Sequence, residues 1–274
     1  MCSPVQALSS GAVVDRSHRG VVRVAGPERL TWLHSLTSQH LSELAPGVWT
    51  EALVLSPHGH VEHHLVLRDD GDATWIHVEP GTLPALQAYL ESMKFWTEVD
   101  VADVSDQWAV LSVIGGEDLL VERGALESAV SAVGLPLVGH GAWEALRVEA
   151  GRPRLGFETD HRTIPHEIGW LATAVHLDKG CYRGQETVAR VHNLGRPPRR
   201  LVRLHLDGTQ DELPPPHTPV AVSGDERPVG FLGTAVQHAE LGPIALAVIK
   251  RQVPDDAQLV VDGMAAAIDP LVEV

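Results

Sequence analysis

Cysteine is almost missing from this chain, with two in 274 residues, Cys2 and Cys181. Two thiols cannot build a disulfide framework, and one chain carrying two cannot supply the four thiolates of an iron–sulfur centre. Long apolar runs are missing too: no stretch approaches the roughly 20 residues that span a bilayer. The opening M-C-S-P-V-Q-A-L-S-S has neither the basic start nor the apolar run of a signal peptide. These absences read as a cytoplasmic protein in a reducing compartment, without a membrane partner. Positive charge is scarce, at 21 Lys and Arg against 36 Asp and Glu, for a formal net charge of −15. That balance argues against general binding to nucleic acid or anionic membranes. H-E-x-x-H, paired C-x-x-C and G-x-S-x-G are absent, which removes zinc-hydrolase and serine-hydrolase readings. The glycines near Cys181 do not follow the P-loop order either, so nucleotide phosphate binding gains no support.

What is present suits a globular protein long enough for a substantial core, with 44% hydrophobic and 21% charged residues. Its charge is uneven. Between Arg147 and Arg203 eleven Lys and Arg face six Asp and Glu. A basic segment inside an acidic chain is a candidate anion site or a structural ion-pair network.

Periodicity places a strand at Val21–Gly26 and a helix after Pro27 with an apolar stripe at Leu30, Leu33, Leu41 and Leu44. Strands follow at Ala52–Leu55, Val61–Leu67 and Thr74–Val78, split by Pro57-His58-Gly59 and Asp69-Asp70-Gly71-Asp72. A helix is predicted over Leu83–Phe95, strands over Val99–Val104 and Trp108–Ile114, and a helix near Asp118–Val133. Ala142–Ala150, closed by Gly151, and Gly184–Leu194, closed by Gly195 and Pro197-Pro198, read as further helices. After Arg200 short strands punctuated by Gly, Pro and Asp predict a small antiparallel barrel or sandwich. The expected organisation is α+β, with a region over 1–200 of two subdomains and a β-rich region over 201–274.

Three constellations could carry chemistry. D-K-G-C-Y-R-G-Q-E-T sets Cys181 between Lys179 and Arg183, just before a predicted helix. Nearby cations and a helix N-terminus lower a thiol pKa, and Asp178 opposes them. The other reading is a small buried cysteine in a tight turn. R-V-E-A-G-R-P-R offers Glu149, which could accept paired hydrogen bonds from an amino-heterocycle, with arginines for carboxylates at the far end of the ligand. Arg147 and Glu149 could equally form a surface pair. H-G-H-V-E-H-H, His58 to His64, resembles a metal-binding run, with His60, Glu62 and His64 expected on one strand face. Adjacent histidines on a solvated strand are the commoner explanation, and no metal is assigned.

K-G-C-Y-R-G-Q-E resembles the signature of the YgfZ-type folate-binding proteins, relatives of the glycine-cleavage T-protein, the tetrahydrofolate-dependent aminomethyltransferase. V-A-G-P-E-R-L-T-W-L-H-S-L-T-S-Q-H-L resembles the opening strand and helix of that family, and L-S-P-H-G-H-V-E-H-H-L-V-L its hairpin. L-R-V-E-A-G-R-P-R-L-G with I-P-H-E-I-G-W resembles its folate-binding stretch. The resemblance implies aminomethyltransferase-like α+β domains around a central folate-holding cavity, with a C-terminal antiparallel β-barrel. It implies Glu149 as the pterin anchor and Arg152, Arg154 or Arg162 as partners of the glutamate tail. Arg147, Lys179, Tyr182, Gln185 and Glu186 join the candidate binding set, and Cys181 is the candidate reactive thiol. His63 and His64 stand where aminomethyltransferases carry paired aspartates, and the G-Y-T-G-E segment has no clear copy. The function implied is a tetrahydrofolate-binding accessory to iron–sulfur enzymes, including those that thiolate tRNA bases. The alternatives are a one-carbon transferase with histidine in place of the acid, and a ligand-free protein-binding scaffold.

Overall fold

The computed structural model describes residues 11–210, 212–269 and 271; Cys2 lies outside them. The chain divides into two compact units, 1–140 with 172–185, and 141–171 with 186–274. Residues 141–171 and 186–200 therefore group with the β-rich tail.

The first unit runs β1 (Val13–Asp15), β2 (Gly20–Ala25), α1 (Arg29–Leu36), β3 (Trp49–Leu55), β4 (Val61–Asp69), β5 (Ala73–Val78), α2 (Leu83–Ser92), β6 (Asp100–Asp103), β7 (Trp108–Val113), β8 (Asp118–Glu122), α3 (Leu126–Val133) and β9 (Leu137–Val138). Five strands form an antiparallel sheet in the order β3-β4-β5-β2-β6. Alternating apolar residues on one face bury Val22, Val24, Ala52, Val54, Leu65, Leu67 and Ile76 against Leu33 of α1 and Leu86 and Leu90 of α2. Each buried valine, leucine or isoleucine there contributes about 1.5–3 kcal/mol on leaving water. The second sheet has the order β8-β7-β1-β9, with β1 and β9 parallel. Between the sheets lies a buried polar cluster. Arg19 Nε donates to His77 Nδ1 at 2.7 Å, and Arg19 also pairs with Glu79. His77 Nε2 sits 2.9 Å from Asp118 Oδ2.

Three predicted helices are shorter than their periodicity suggests, among them α2, which ends at Ser92 and not at Phe95. α1 stops at Leu36 because Thr37 turns extended and its hydroxyl and amide both bond Leu33 O. A side chain that satisfies the last carbonyls offers the backbone an exit from the helix. Residues 118–122 form β8 instead of helix, since Leu119, Leu120 and Val121 pair with Leu111, Val110 and Ala109 of β7. A helix begins only at Leu126.

The second unit contains α4 (His140–Glu149) beyond its first residue, the start of α5 (Trp170–Ala174) and α6 (Gln185–Leu194) beyond its first residue. It continues with β10 (Arg199–Leu206), β11 (Pro219–Val222), β12 (Pro228–His238), β13 (Gly242–Lys250), β14 (Gln258–Val261) and β15 (Met264–Asp269). These six strands close as an antiparallel barrel, β10-β13-β12-β11-β14-β15, with β15 returning to β10. Val202, Leu204, Val220, Leu232, Ala245, Ala247 and Leu259 fill it. The barrel predicted after Arg200 is thus present. No helix among the described residues is long and apolar enough to cross a membrane.

Candidate functional site

In the first unit the segment 174–184 lies along the C-terminal end of α1. Ser38 Oγ donates to Ala174 O at 2.6 Å and accepts from Leu53 N, while His176 N donates to Ser38 O. Lys179 is buried and aims its ammonium at the end of the helix. Nζ donates to the carbonyls of His34, Thr37 at 2.6 Å and Gln39 at 2.9 Å. The last carbonyls of a helix lack intrahelical partners and carry its negative dipole end, so a cation there satisfies both needs. Burial pulls the Lys179 ammonium down to about 8, which leaves it charged at neutral pH.

Tyr182 is buried beneath it, with Lys179 Nζ 5.2 Å from the ring centroid, and burial pushes the phenol up to about 12. Arg183 reaches the hairpin, where Nη1 donates to Glu62 Oε2 at 2.9 Å and the guanidinium lies 5.8 Å from the Tyr89 ring. Gly184 has φ +83°, and a Cβ there would meet Ser56 O at 2.6 Å and Gly59 Cα at 2.9 Å. Only glycine lets the chain press so close to the β3–β4 turn. Gln185 Nε2 reaches back to Lys179 O at 3.4 Å, and Glu186 is exposed. Between these fixed points Gly180 and Cys181 face solvent, and the thiol is free. The cations on either side of Cys181 are held by carbonyls and by Glu62.

The histidine run is divided by a bulge. Leu53 pairs with His64 and Val54 with His63, but Leu55 pairs with Val61, which leaves Glu62 outside the regular register. Glu62 turns to Arg183, while His64 Nε2 lies 3.2 Å from Glu51 Oε2. His60, Glu62 and His64 therefore have separate environments, contrary to the single face expected of a regular strand. Among the described residues, no three His, Cys, Asp or Glu side chains are arranged to hold a metal ion. His63 is held at about 4 by burial and is a neutral imidazole at pH 7.

The second unit holds the R-V-E-A-G-R-P-R stretch at the end of α4. Arg147 is buried and fully engaged: Nη2 donates to Thr234 Oγ1 at 2.6 Å and Glu144 Oε2 at 2.8 Å, and Nη1 to Arg152 O at 2.5 Å. Arg154 Nη1 donates to Glu144 Oε2 at 3.0 Å and its guanidinium lies 4.0 Å from the Phe157 ring centroid. Burial works to raise the Glu144 carboxyl, but Arg147 and then Arg154 outweigh it and hold the group below the usual range. Glu158 is fully buried and accepts from Arg154 N and Thr234 N, both at 2.7 Å. A Cβ at Gly233 would lie 2.5 Å from Glu158 Oε1, so glycine makes room for that carboxylate.

Glu149 differs. It ends α4 half-buried, with Oε2 3.4 Å from His238 Nε2, and its main-chain carbonyl accepts from Arg203 Nη1 at 2.6 Å. Its carboxylate retains open acceptor capacity, while Arg152 and Arg162 are exposed. Glu144, Glu158 and Thr234 escaped the sequence reading because buried ion networks leave no spacing signature. So did Arg199, which joins Asp160 and Glu167 at 2.7 Å each.

Residues 5–120 match the family described as the GCVT N-terminal domain. The chain is 28% identical to an aminomethyltransferase of Moorella thermoacetica, covering 86% of this chain and 77% of that protein. It is 27% identical to a mitochondrial iron–sulfur cluster assembly factor IBA57 homologue of Mycosarcoma maydis, over 73% of this chain and 58% of that one. It is 30% identical to the tRNA-modifying protein YgfZ of Vibrio atlanticus, over 60% of this chain and 48% of that one. The chain is thus similar, at low identity, to aminomethyltransferases and to proteins named YgfZ and IBA57. It spans only about half to three fifths of the length of the fungal and Vibrio relatives. Its fold is that of a glycine cleavage aminomethyltransferase T from Bartonella henselae, with TM-score 0.79 at 16% identity, over 96% of this chain and 86% of that structure.

Proposed function

We propose that this YgfZ-type chain binds a reduced folate and supports the upkeep of iron–sulfur proteins, including enzymes that thiolate tRNA, rather than transferring aminomethyl groups. The observation that carries this reading is the Cys181 loop: Lys179, Arg183 and Gly184 fix its ends while the thiol stays exposed. An octapeptide built to hold one accessible sulfur suits thiol chemistry with a partner protein. The names of the IBA57 and YgfZ relatives support that direction.

Folate fits the second unit through Glu149. Its half-exposed carboxylate can accept two parallel N–H bonds from the 2-amino-pyrimidinone edge of a pterin. Arg147 and Arg154 frame the stretch through Glu144 and Glu158, which leaves Arg152 and Arg162 for the glutamate tail. Tetrahydrofolate would supply a one-carbon carrier when bound. Where aminomethyltransferases carry an aspartate this chain has His63, a neutral imidazole at pH 7 that cannot steady a developing iminium by charge.

The test is recovery of iron–sulfur enzyme activity in cells deprived of this protein. The parent chain is expected to restore activity, and Cys181→Ser to fail. Equal restoration by Cys181→Ser, or formaldehyde-level transfer from an aminomethyl donor to tetrahydrofolate by the purified chain, would overturn the reading.

A further inference from the structure

Outside the folate and thiol sites, the first unit displays two aromatic side chains that its fold does not use. Phe95 is 80% and Trp96 97% exposed, in the segment between α2 and β6. Solvent-facing aromatics of this size are unfavourable in isolation. The backbone adds a second cost, because Phe95 has φ +42°, a left-handed conformation rare for a bulky residue.

The tip is also held. Trp32 Nε1 donates to Met93 O at 3.1 Å before it, and Glu98 N donates to Glu28 Oε2 at 2.6 Å after it. Within it Thr97 N bonds Lys94 O at 2.9 Å. The chain thus fixes a strained turn whose product is a Phe–Trp pair pointing into water. Strain kept by surrounding bonds is a mark of a functional segment, and Trp is the residue most often dominant at protein interfaces.

Charge selects the occupant. Glu28, Glu91, Glu98 and Asp100 are exposed in the flanking segments, and Lys94 beside the pair is answered by Glu91 at 3.8 Å. An acidic rim repels anionic lipid and a second copy of a chain with net charge −15. We infer that Phe95 and Trp96 form a docking tip for a partner protein that presents an apolar helix face flanked by Lys and Arg. This surface stands independently of the folate reading.

The probe is a short amphipathic helical peptide of leucine and lysine, titrated against the full chain with a lysine–serine peptide as control. Binding of the leucine peptide is expected to weaken by at least about tenfold in Trp96→Ser and to fall with added salt. Phe95→Gly, which accepts the left-handed turn, is expected to raise Tm while weakening binding. Equal binding by Trp96→Ser, or by the lysine–serine peptide, would overturn the inference. So would Trp96-dependent binding to phosphatidylcholine–phosphatidylglycerol vesicles, or Trp96-dependent dimerisation in sedimentation. A Phe95→Gly chain less stable than its parent would contradict the strain on which the tip is argued.

Discussion

Lys179 directs all three ammonium protons to the carbonyls of His34, Thr37 and Gln39, so its loss strands acceptors at a buried helix end. Lys179→Met is expected to lower unfolding free energy by about 2–4 kcal/mol, since each orphaned buried acceptor costs about 1–3 kcal/mol; chemical denaturation measures it. His63 gives a pH signature. Its pKa lies near 4 in the fold against 6.5 when unfolded, so the unfolded chain binds the extra proton across that window. Stability therefore falls as pH drops from about 6.5 towards 4. His63→Phe should remove about 2 kcal/mol of the loss between pH 7 and pH 5, and a loss as steep as the parent's would reject the assignment. His77, fully buried and lowered to about 4 by burial and then by Arg19, adds a slope of the same sign. The K-G-C-Y-R-G-Q-E run was legible at this scale as a cysteine among cations and glycines. Where those cations point was not, because their partners, from His34 to Tyr89, lie on segments far away in sequence.

At the scale of elements, the glycine and the arginine act on the loop differently. Gly184→Ala sets a Cβ against Ser56 O in a left-handed backbone, and is expected to cost about 1–3 kcal/mol. Arg183→Ala releases the Glu62 pair, which is about one-third exposed and worth at most about 1 kcal/mol. Its clearer effect should be faster amide exchange over 179–184 with Tm little changed; protection equal to the parent's would show that Arg183 does not hold the loop. Strand periodicity revealed β2 to β7 and the barrel, since alternation survives without knowledge of partners, but it missed the short β1 and β9. It misassigned 118–122 because an L-L-V run serves helix or strand equally, and pairing with β7 decides. The bulge at Glu62 was likewise hidden: register shifts arise from the partner strand, and they separate His64 from Glu62.

For the whole molecule, the excess of basic residues over 147–203 resolves largely into ion pairs. Arg147, Arg154, Arg183, Arg199, Arg200 and Arg203 all face carboxylates. The segment is a frame more than an anion site, and Glu149 stands out as the carboxylate in R-V-E-A-G that the frame leaves open. Folate binding should accordingly hinge on that single acid and be indifferent to the exposed thiol. Calorimetric titration of the full chain with tetrahydrofolate tests this most directly. Saturable one-to-one binding is expected, weakened at least about tenfold by Glu149→Gln and unchanged by Cys181→Ser. Absence of binding to the parent chain, or equal affinity in Glu149→Gln, would contradict it.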